Sequence, residues 1–402
     1  MADAQLRGDV RHSTVSRAIL LAASAATIGM NARVLGPEGQ GFVALFGLAM
    51  LTISSIGAFV AGGAVVYLRR QFALRDLWLP GMAWLTIVTA GVGFAGVMMG
   101  WLPGHWALDI CVAGWLQAAA IFHGQLALAC DEVKLHNALS AGQILLTSLL
   151  LATLYFGFGF QSLDAWVTGL LVGLLLTFLA SLRIFRRIGR PIWRISRPAL
   201  SAMWRHGRSA ASGGLLQMWT NRSNLALLER APSAGIAATG VYAVAWYGLE
   251  AIWAFSRGLA PVLHSRIAGM SSVKAADRRA LTRRFTGWSL AATAPLAAIA
   301  ALTPDGVYAW IFGFGGISPV LRALTPLMLT GAVCSVWAHH LSGIGAHIWN
   351  AVTSGAGLLT LLILAPSWIA SDDAVGAAWA ASVAGAVQCL GLWLALTRED
   401  KN

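Results

Sequence analysis

The amino-acid sequence predicts an all-α, polytopic membrane protein with about 12 transmembrane helices. Only 11% of the residues are charged and 57% are hydrophobic, whereas a soluble domain carries about 25% charged residues. Several apolar stretches, such as 42–66 and 374–396, are longer than the roughly 20 residues that cross a bilayer as a helix. Because these stretches do not alternate polar and apolar residues, they are typical of helices rather than barrel strands.

Twelve spans follow one another along the chain and fall into two groups of six. A basic segment separates the groups, which predicts an N-terminal lobe at 1–182, a linker at 183–208 and a C-terminal lobe at 209–402. The predicted spans are 14–34, 42–66, 78–101, 106–129, 137–158, 163–182, 209–228, 238–262, 285–303, 321–343, 348–369 and 374–396.

The linker alternates arginines with isoleucine, phenylalanine and tryptophan, and two prolines interrupt it. Such a segment is typical of a stretch that lies along the anionic inner leaflet. With six spans in each half, the two halves share one orientation, as in parallel repeats. A short trace of repetition agrees with this: Gly41-Phe-Val-Ala and Gly240-Val-Tyr-Ala each lead into the second span of a half.

Lysines and arginines indicate the orientation of the chain. Most of the 28 fall on one side of the predicted spans, mainly in the N-terminal tail, the loop after the second span, the linker and the segment 266–284. The positive-inside rule therefore predicts that both termini are cytoplasmic, with the first span retained rather than cleaved. The same rule accounts for the net charge of +12 without a nucleic-acid partner.

Catalysis and cofactor binding are not indicated by any motif. The four cysteines are scattered and form no Cys-x-x-Cys pair, so neither a disulfide framework nor a zinc site is predicted. There is no evident catalytic triad, metal-ligand spacing or phosphate-binding glycine loop. We therefore expect a protein that is not an enzyme and holds no cofactor.

Polar side chains inside the seventh span are candidates for a binding site. Arg222 is flanked by Asn221, Ser223 and Asn224, in a stretch that is hard to set against lipid. One interpretation is a polar cavity wall. The other is a charge near the outer end of the helix, whose side chain reaches the interface.

Two charged residues, Glu250 and Arg257, lie two helical turns apart in the eighth span, and therefore on one face. They either bind a ligand or form a buried ion pair that stabilises the bundle. Arg33 lies at the end of the first span. It either lines a cavity or is an ordinary cation that the helix dipole favours at the C-terminal end of a helix. His123, His339 and His340 are candidates for proton coupling, although histidines within spans are more often packing residues.

Three short motifs resemble polysaccharide-biosynthesis flippases of the multidrug/oligosaccharidyl-lipid/polysaccharide exporter superfamily. Arg33-Val-Leu-Gly-Pro-Glu-Gly-Gln-Gly41 is similar to the loop after the first span of that family, although an aromatic residue usual at position 40 or 43 is missing. The segments 240–245 and 376–380 are similar to the starts of the family's eighth and twelfth spans. The resemblance also covers the span count and the midpoint of the chain.

The resemblance implies two six-helix lobes that form a V around a central cavity. Its cargo would be a polyprenyl-pyrophosphate-linked oligosaccharide, moved across the bacterial inner membrane by alternating access. Arginine neutralises pyrophosphate with bidentate contacts, so Arg33, Arg222 and Arg257 would bind that group. Asn221, Asn224 and nearby tryptophans would meet the sugar, and Glu250 would serve sugar binding or coupling. The expected partners are this glycan, membrane lipid, and a polysaccharide polymerase or other assembly proteins.

Two other functions remain open. A multidrug or cation antiporter of the same superfamily would need carboxylates in its lobes, and Glu250 is the only one clearly in the middle of a predicted span. A membrane glycan polymerase or acyltransferase would need a large outer loop or a clustered site, and neither is evident. The excess of arginine favours an anionic cargo.

Overall fold

The computed structural model describes residues 2–100, 104–189, 195–270 and 275–399, and all regular elements in these ranges are helices. For residues 2–18, 209–210 and 399 it describes the backbone alone. The α-helices are Ala2–Ala61 (α1), Ala64–Leu68 (α2), Leu74–Met98 (α3), Ala107–Ala129 (α4), Val133–Ala152 (α5), Leu163–Ser181 (α6), Phe185–Ile188 (α7), Arg197–Arg230 (α8), Gly235–Ile252 (α9), Ala254–Ala268 (α10), Ala275–Leu302 (α11), Asp305–Phe312 (α12), Ile317–Gly343 (α13) and Ile348–Glu399 (α14). The all-α prediction is confirmed.

Eight helical stretches of the described chain are long and apolar enough to cross a membrane. Two of them, Ile19–Leu68 and Ile348–Arg398, contain 50 and 51 residues. At 1.5 Å per residue each would extend about 75 Å, more than twice the hydrocarbon thickness of a bilayer. Each therefore supplies two crossings, and the chain is a multi-pass membrane protein.

Both long stretches bend where the sequence prediction separates two spans. In α1 the backbone leaves the helical region at Gly36, and Pro37 follows. The φ of Gly36 is 67°, a value that glycine adopts readily because it has no Cβ. In α14 the break lies at Asp372 and Asp373, and Asp373 has a positive φ of 45°. At both places the two helices follow one another directly, so the spans are linked by kinks rather than loops.

The predicted seventh and eighth spans are not among these eight stretches. The seventh falls on α8, which begins at Arg197, inside the predicted linker, rather than at residue 209. The eighth falls on α9 and α10, which are separated at Trp253. Polar residues lower the mean hydropathy of α8 and α9, and α10 has only 15 residues, so whether these helices cross the membrane stays a prediction. Part of the predicted linker, residues 190–194, lies outside the described residues.

The chain forms two compact units. The first comprises residues up to 35 and 46–211, and the second comprises 36–45 and everything from 212 onward. In the first unit, buried residues of α2, α3, α4 and α8 share one core, which includes Leu68, Leu77, Phe122 and Met203. The beginning of α8 thus packs within the first unit.

The second unit has two apolar clusters on α13. One joins α13 to α10 and α11 through Leu263, Phe285 and Val336. The other joins α13 to α14 through Leu341 and Leu392.

Two motif glycines meet inside the second unit. A Cβ at Gly240 would lie 2.9 Å from the backbone nitrogen of Gly41, and a Cβ at Gly41 would lie 3.1 Å from the nitrogen of Gly240. These are the first residues of the two short repeats in the sequence. Because neither has a side chain, the segment 36–45 and α9 cross with their backbones in contact.

Large apolar side chains cover much of the helix surface. Phe94, Leu108, Trp310 and Ile363 are each more than 70% exposed. A protein in water rarely exposes so many large apolar groups. Lipid tails accept them without cost, in agreement with the apolar spans.

Candidate functional site

Three charged side chains meet in the second unit, where the carboxylate of Glu250 lies between two arginines. Its Oε2 is 2.6 Å from a terminal guanidinium nitrogen of Arg222, and its Oε1 is 3.7 Å from one of Arg257. The sequence pattern placed Glu250 and Arg257 on one face, and the structure brings them together. The contact with Arg222 was not predicted.

Three helices supply this cluster. Arg222 lies on α8, Glu250 near the end of α9, and Arg257 in the first turn of α10. Trp253, the one residue between α9 and α10, separates Glu250 from Arg257, yet the amide of Arg257 still donates to the carbonyl oxygen of Trp253, as in a continuous helix. The two residues therefore keep the shared face that their spacing predicts.

The two arginines differ in exposure. The side chain of Arg222 is 11% exposed, that of Glu250 24%, and that of Arg257 47%. Arg222 is thus enclosed and held by a short, charge-assisted hydrogen bond. Arg257 is more accessible, and its 3.7 Å separation from Glu250 is too long for a normal hydrogen bond.

Aromatic rings face both guanidinium groups. The guanidinium carbon of Arg222 lies 5.3 Å from the ring centroid of Tyr247 and 5.9 Å from that of Trp246. That of Arg257 lies 5.2 Å from the centroid of Trp253. These distances are within the range of cation–π attraction, which strengthens where water is excluded.

The cluster carries one positive charge in excess. Arginine stays protonated in proteins, and the single carboxylate of Glu250 offsets one of the two cations. Chemically, the arrangement offers a fixed cation, Arg222, and an accessible one, Arg257. An anionic group that reaches Arg257 would find a partner that is only loosely held.

The two asparagines have different surroundings. Asn224 is 1% exposed, and its amide nitrogen donates to the hydroxyl of Tyr242 at 3.0 Å and to the carbonyl of Ala377 at 2.8 Å. It therefore ties α8 to α9 and α14. Asn221 is half-buried, and its oxygen accepts from the amide of Gln217 at 3.0 Å.

Gln217 continues this hydrogen-bond network into α14. Its oxygen accepts from the hydroxyl of Ser354 at 2.9 Å and from the amide of Gln388. The amide of Gln388 also donates to Ser354 at 3.1 Å. Buried polar groups that satisfy one another in this way fix the packing of helices in an apolar environment.

Arg33 belongs to the first unit, three residues before the kink at Gly36, and its side chain is exposed. The structure thus brings together Arg222, Glu250 and Arg257. That Arg33 joins them stays a prediction.

The histidines occupy packed positions. The indole nitrogen of Trp78 donates to Nε2 of His123 at 2.9 Å, and Nδ1 of His123 lies 2.7 Å from the hydroxyl of Ser181. Because an indole nitrogen can only donate, Nε2 of His123 carries no proton in this arrangement. His340 pairs with the hydroxyl of Thr282 at 2.6 Å, and His339 with the carbonyl of Ser335 at 2.8 Å. These contacts support the packing interpretation.

Sequence reasoning did not single out Trp246, Tyr247 and Trp253, and it missed the glutamine network. One signal was present: Trp253 precedes Arg257 by four residues, which places both side chains on one helix face. No such local signal connects Arg222 to Tyr247 or Gln217 to Gln388, because those contacts join different helices. In the described part of the chain, no group of three potential metal ligands comes together.

Solved structures with a similar fold are transporters. A multidrug resistance MATE family transporter of the MOP superfamily, in an inward-facing conformation, aligns with a TM-score of 0.74 at 14% identity, covering 96% of both chains. The lipid II flippase MurJ aligns with a TM-score of 0.72 at 10% identity, covering 96% of this chain and 87% of MurJ.

A third relative by fold is a MOP superfamily transporter from Pyrococcus furiosus, described as having a binding pocket of reverse polarity. It aligns with a TM-score of 0.62 at 13% identity, covering 96% of both chains. No protein-family model and no curated protein sequence matches the chain. At these identities the likeness concerns the fold, and the chain has the fold of the MOP superfamily transporters.

Proposed function

We propose that this protein is a flippase that moves a polyprenyl-pyrophosphate-linked oligosaccharide across the bacterial inner membrane for surface polysaccharide biosynthesis. The observation that carries the proposal is the positive excess of the Arg222–Glu250–Arg257 cluster, whose side chains lie together on α8, α9 and α10 of the second unit. Charge within a membrane protein is costly and is kept where it serves a ligand, an ion or a partner. An excess of arginine suits an anionic cargo, and pyrophosphate is the group that arginine binds best.

The two arginines take different roles in this proposal. Arg222 keeps Glu250 as its partner and holds the positive potential of the site in place. Arg257, which is exposed and only loosely paired, exchanges Glu250 for a phosphate oxygen of the cargo. Such an exchange costs little, because a contact of 3.7 Å to a partly hydrated carboxylate is weak.

The remaining predicted site residues fit this scheme to different extents. Asn221 lies one residue from Arg222 and is half-buried, so we retain it as a sugar contact. Asn224 is enclosed by Tyr242 and Ala377, so we now assign it to packing. Arg33 remains a proposed second contact for pyrophosphate. Alternating access, with both termini in the cytoplasm, is part of the same proposal.

The structures that share this fold point to two kinds of cargo. MurJ is described as a lipid II flippase, which matches a lipid-linked glycan, and the MATE family transporter is described as a multidrug resistance protein. A cation antiporter is therefore the second candidate, with Glu250 as the residue that would take the cation. The close contact between Glu250 and Arg222 disfavours it, because the carboxylate already has a cationic partner.

Substitution of Arg257 tests the proposed function directly. We expect R257A to weaken the binding of a polyprenyl pyrophosphate by the purified protein at least tenfold, because hydrogen bonds to charged groups contribute about 1.5–3 kcal/mol. R257K should retain part of the affinity, since lysine keeps the positive charge but cannot make the bidentate contacts of a guanidinium.

Arg284 offers a matched control, because its guanidinium also lies over a tryptophan ring, 4.8 Å from the centroid of Trp288, on an exposed part of the same unit. R284A should bind like the unmodified protein. Equal losses in R257A and R284A, or no loss in R257A, would count against the proposal.

A further inference from the structure

Trp253 lies between α9 and α10 and is held from several sides. It is 6% exposed, and its indole nitrogen donates to the carbonyl oxygen of Met328 at 2.9 Å, in a buried hydrogen bond. The ring of Trp246 meets it edge to face, with centroids 6.1 Å apart. The indole therefore has a fixed position and orientation.

Gly331 on α13 makes room for this indole. A Cβ at Gly331 would lie 2.6 Å from Cε2 and 3.0 Å from Cη2 of the Trp253 ring. Any larger residue would push the ring away, because a buried tryptophan with a satisfied indole nitrogen has little freedom to move. Met328 and Gly331, three residues apart on one helix, thus form a seat for Trp253.

The guanidinium of Arg257 lies over the ring of Trp253, which is fixed in this way. Its guanidinium carbon is 5.2 Å from the ring centroid, whereas its separation from Glu250 exceeds a hydrogen bond. Of these two contacts, the one with the ring of Trp253 is the one that would survive if another anion replaced Glu250 beside Arg257.

We infer that Trp253 is a positioning residue, seated by Met328 and Gly331, that holds the guanidinium of Arg257 ready for the phosphate groups of the cargo. The inference rests on the proposed function. A flexible arginine loses side-chain entropy when it binds, and an arginine already ordered on a ring loses less. Through this cation–π contact, Trp253 raises the affinity for a pyrophosphate although it does not contact the pyrophosphate itself.

A fluorinated tryptophan tests this role while preserving the fold. Fluorine withdraws electrons from the ring face and weakens the cation–π attraction, but it leaves the ring shape and the indole nitrogen donor in place. We would introduce it at position 253 of the full chain and, as a matched control, at position 288 beneath Arg284. The readout is the affinity of the purified protein for a polyprenyl pyrophosphate, beside its thermal unfolding temperature.

We expect the fluorinated residue at 253 to weaken binding about threefold to tenfold with an unchanged unfolding temperature, and the one at 288 to have no effect. In an R257A background the substitution at 253 should cause no further loss, because its effect passes through Arg257. Unchanged binding at 253, or an equal loss with and without Arg257, would overturn the positioning role. If R257A alone left binding intact, the proposed function itself would fail.

Discussion

Arg222 and Arg257 have the same side chain, but their surroundings give them different properties. The first is enclosed and bonded to Glu250 at 2.6 Å, and the second is nearly half exposed at 3.7 Å from the same carboxylate. The sequence allowed only part of this to be predicted. The spacing of Glu250 and Arg257 puts them on one face, whereas the partner of Arg222 is 28 positions away on another helix, where periodicity gives no information.

Replacing Glu250 separates binding from stability. E250Q removes the negative charge between the arginines, so we expect tighter binding of a polyprenyl pyrophosphate together with lower thermal stability. The loss of stability should be about 2 kcal/mol, below the value for a fully buried pair, because Glu250 is 24% exposed. Binding and thermal unfolding of the purified protein measure the two effects.

Glu229 provides the matched control. It is an exposed carboxylate on α8, 4.0 Å from Arg230, so E229Q should change neither quantity noticeably. Weaker binding in E250Q than in the unmodified protein would contradict the account of the cluster.

At the scale of elements, helix breaks were easier to predict than helix contacts. Gly36-Pro37 and the aspartates at 372–373 indicate the breaks in α1 and α14, because glycine, proline and acidic residues disrupt an apolar helix. The interruption at Trp253, between α9 and α10, has no such signal, since tryptophan is compatible with a helix. The beginning of α8 was also misjudged, because the basic composition of 197–208 is typical of an interfacial segment, whereas part of it packs into a core.

The backbone crossing in the second unit is sensitive to a single methyl group. G240A places a Cβ against the backbone of Gly41 and Pro37, which cannot move aside as a side chain can. We expect a loss of about 1–3 kcal/mol in the free energy of unfolding, measured by thermal or denaturant unfolding in detergent.

Gly248 lies on the same helix and serves as the control. A Cβ there would lie 3.6 Å from a methyl group of Leu321, an ordinary contact. G248A should therefore be neutral or slightly stabilising, because alanine favours a helix more than glycine does. Equal stability of G240A and G248A would show that the backbones of α9 and the segment 36–45 are not in close contact at Gly240.

Asp305 fixes the turn between α12 and α13. Its carboxylate accepts from the amides of Gly316 at 2.7 Å and Ser318 at 3.0 Å. Partial burial raises the pKa of this carboxyl, but the hydrogen bonds from the backbone at 316–318 and the charge of Arg322 outweigh it, so the pKa lies below the ordinary value of 3.8.

A lowered pKa means that the stabilisation by Asp305 is fully present above pH 3.8 and is lost as the pH falls through the lower, folded-state value. At neutral pH we expect D305N to speed hydrogen exchange at the amides of Gly316 and Ser318. D164N, which alters an acidic residue in the first turn of α6, should leave these amides unchanged. Unaltered hydrogen exchange in D305N would mean that the carboxylate of Asp305 does not hold this turn.

For the whole molecule, composition and the length of the apolar stretches were sufficient to predict an all-α, multi-pass membrane protein. The spans with the weakest apolar character, on α8 to α10, are those that hold the charged cluster, so the residues that suggest function also obscure the span count. Short motifs resembled flippases, and the fold is shared by transporters of more than one cargo. Substrate identity depends on a few side chains, which fold likeness does not reveal.

The orientation of the chain can be measured with reporter fusions. We expect alkaline phosphatase fused after Gln161, between α5 and α6, to be active outside the cytoplasm, and a fusion after Asp131, between α4 and α5, to be inactive. A fluorescent protein at the C-terminus should fluoresce, because the positive-inside rule predicts that this end is cytoplasmic. The reverse pattern of activity would contradict the predicted orientation.

The most direct test of the central claim is mass spectrometry of polyprenyl-linked glycans from cells that lack this protein, beside the parent cells. The account predicts accumulation of a complete lipid-linked repeat together with loss of surface polysaccharide, and restoration of both by the unmodified chain and by R284A but not by R257A. Normal lipid-linked pools combined with new sensitivity to cationic drugs would contradict it and would favour the antiporter.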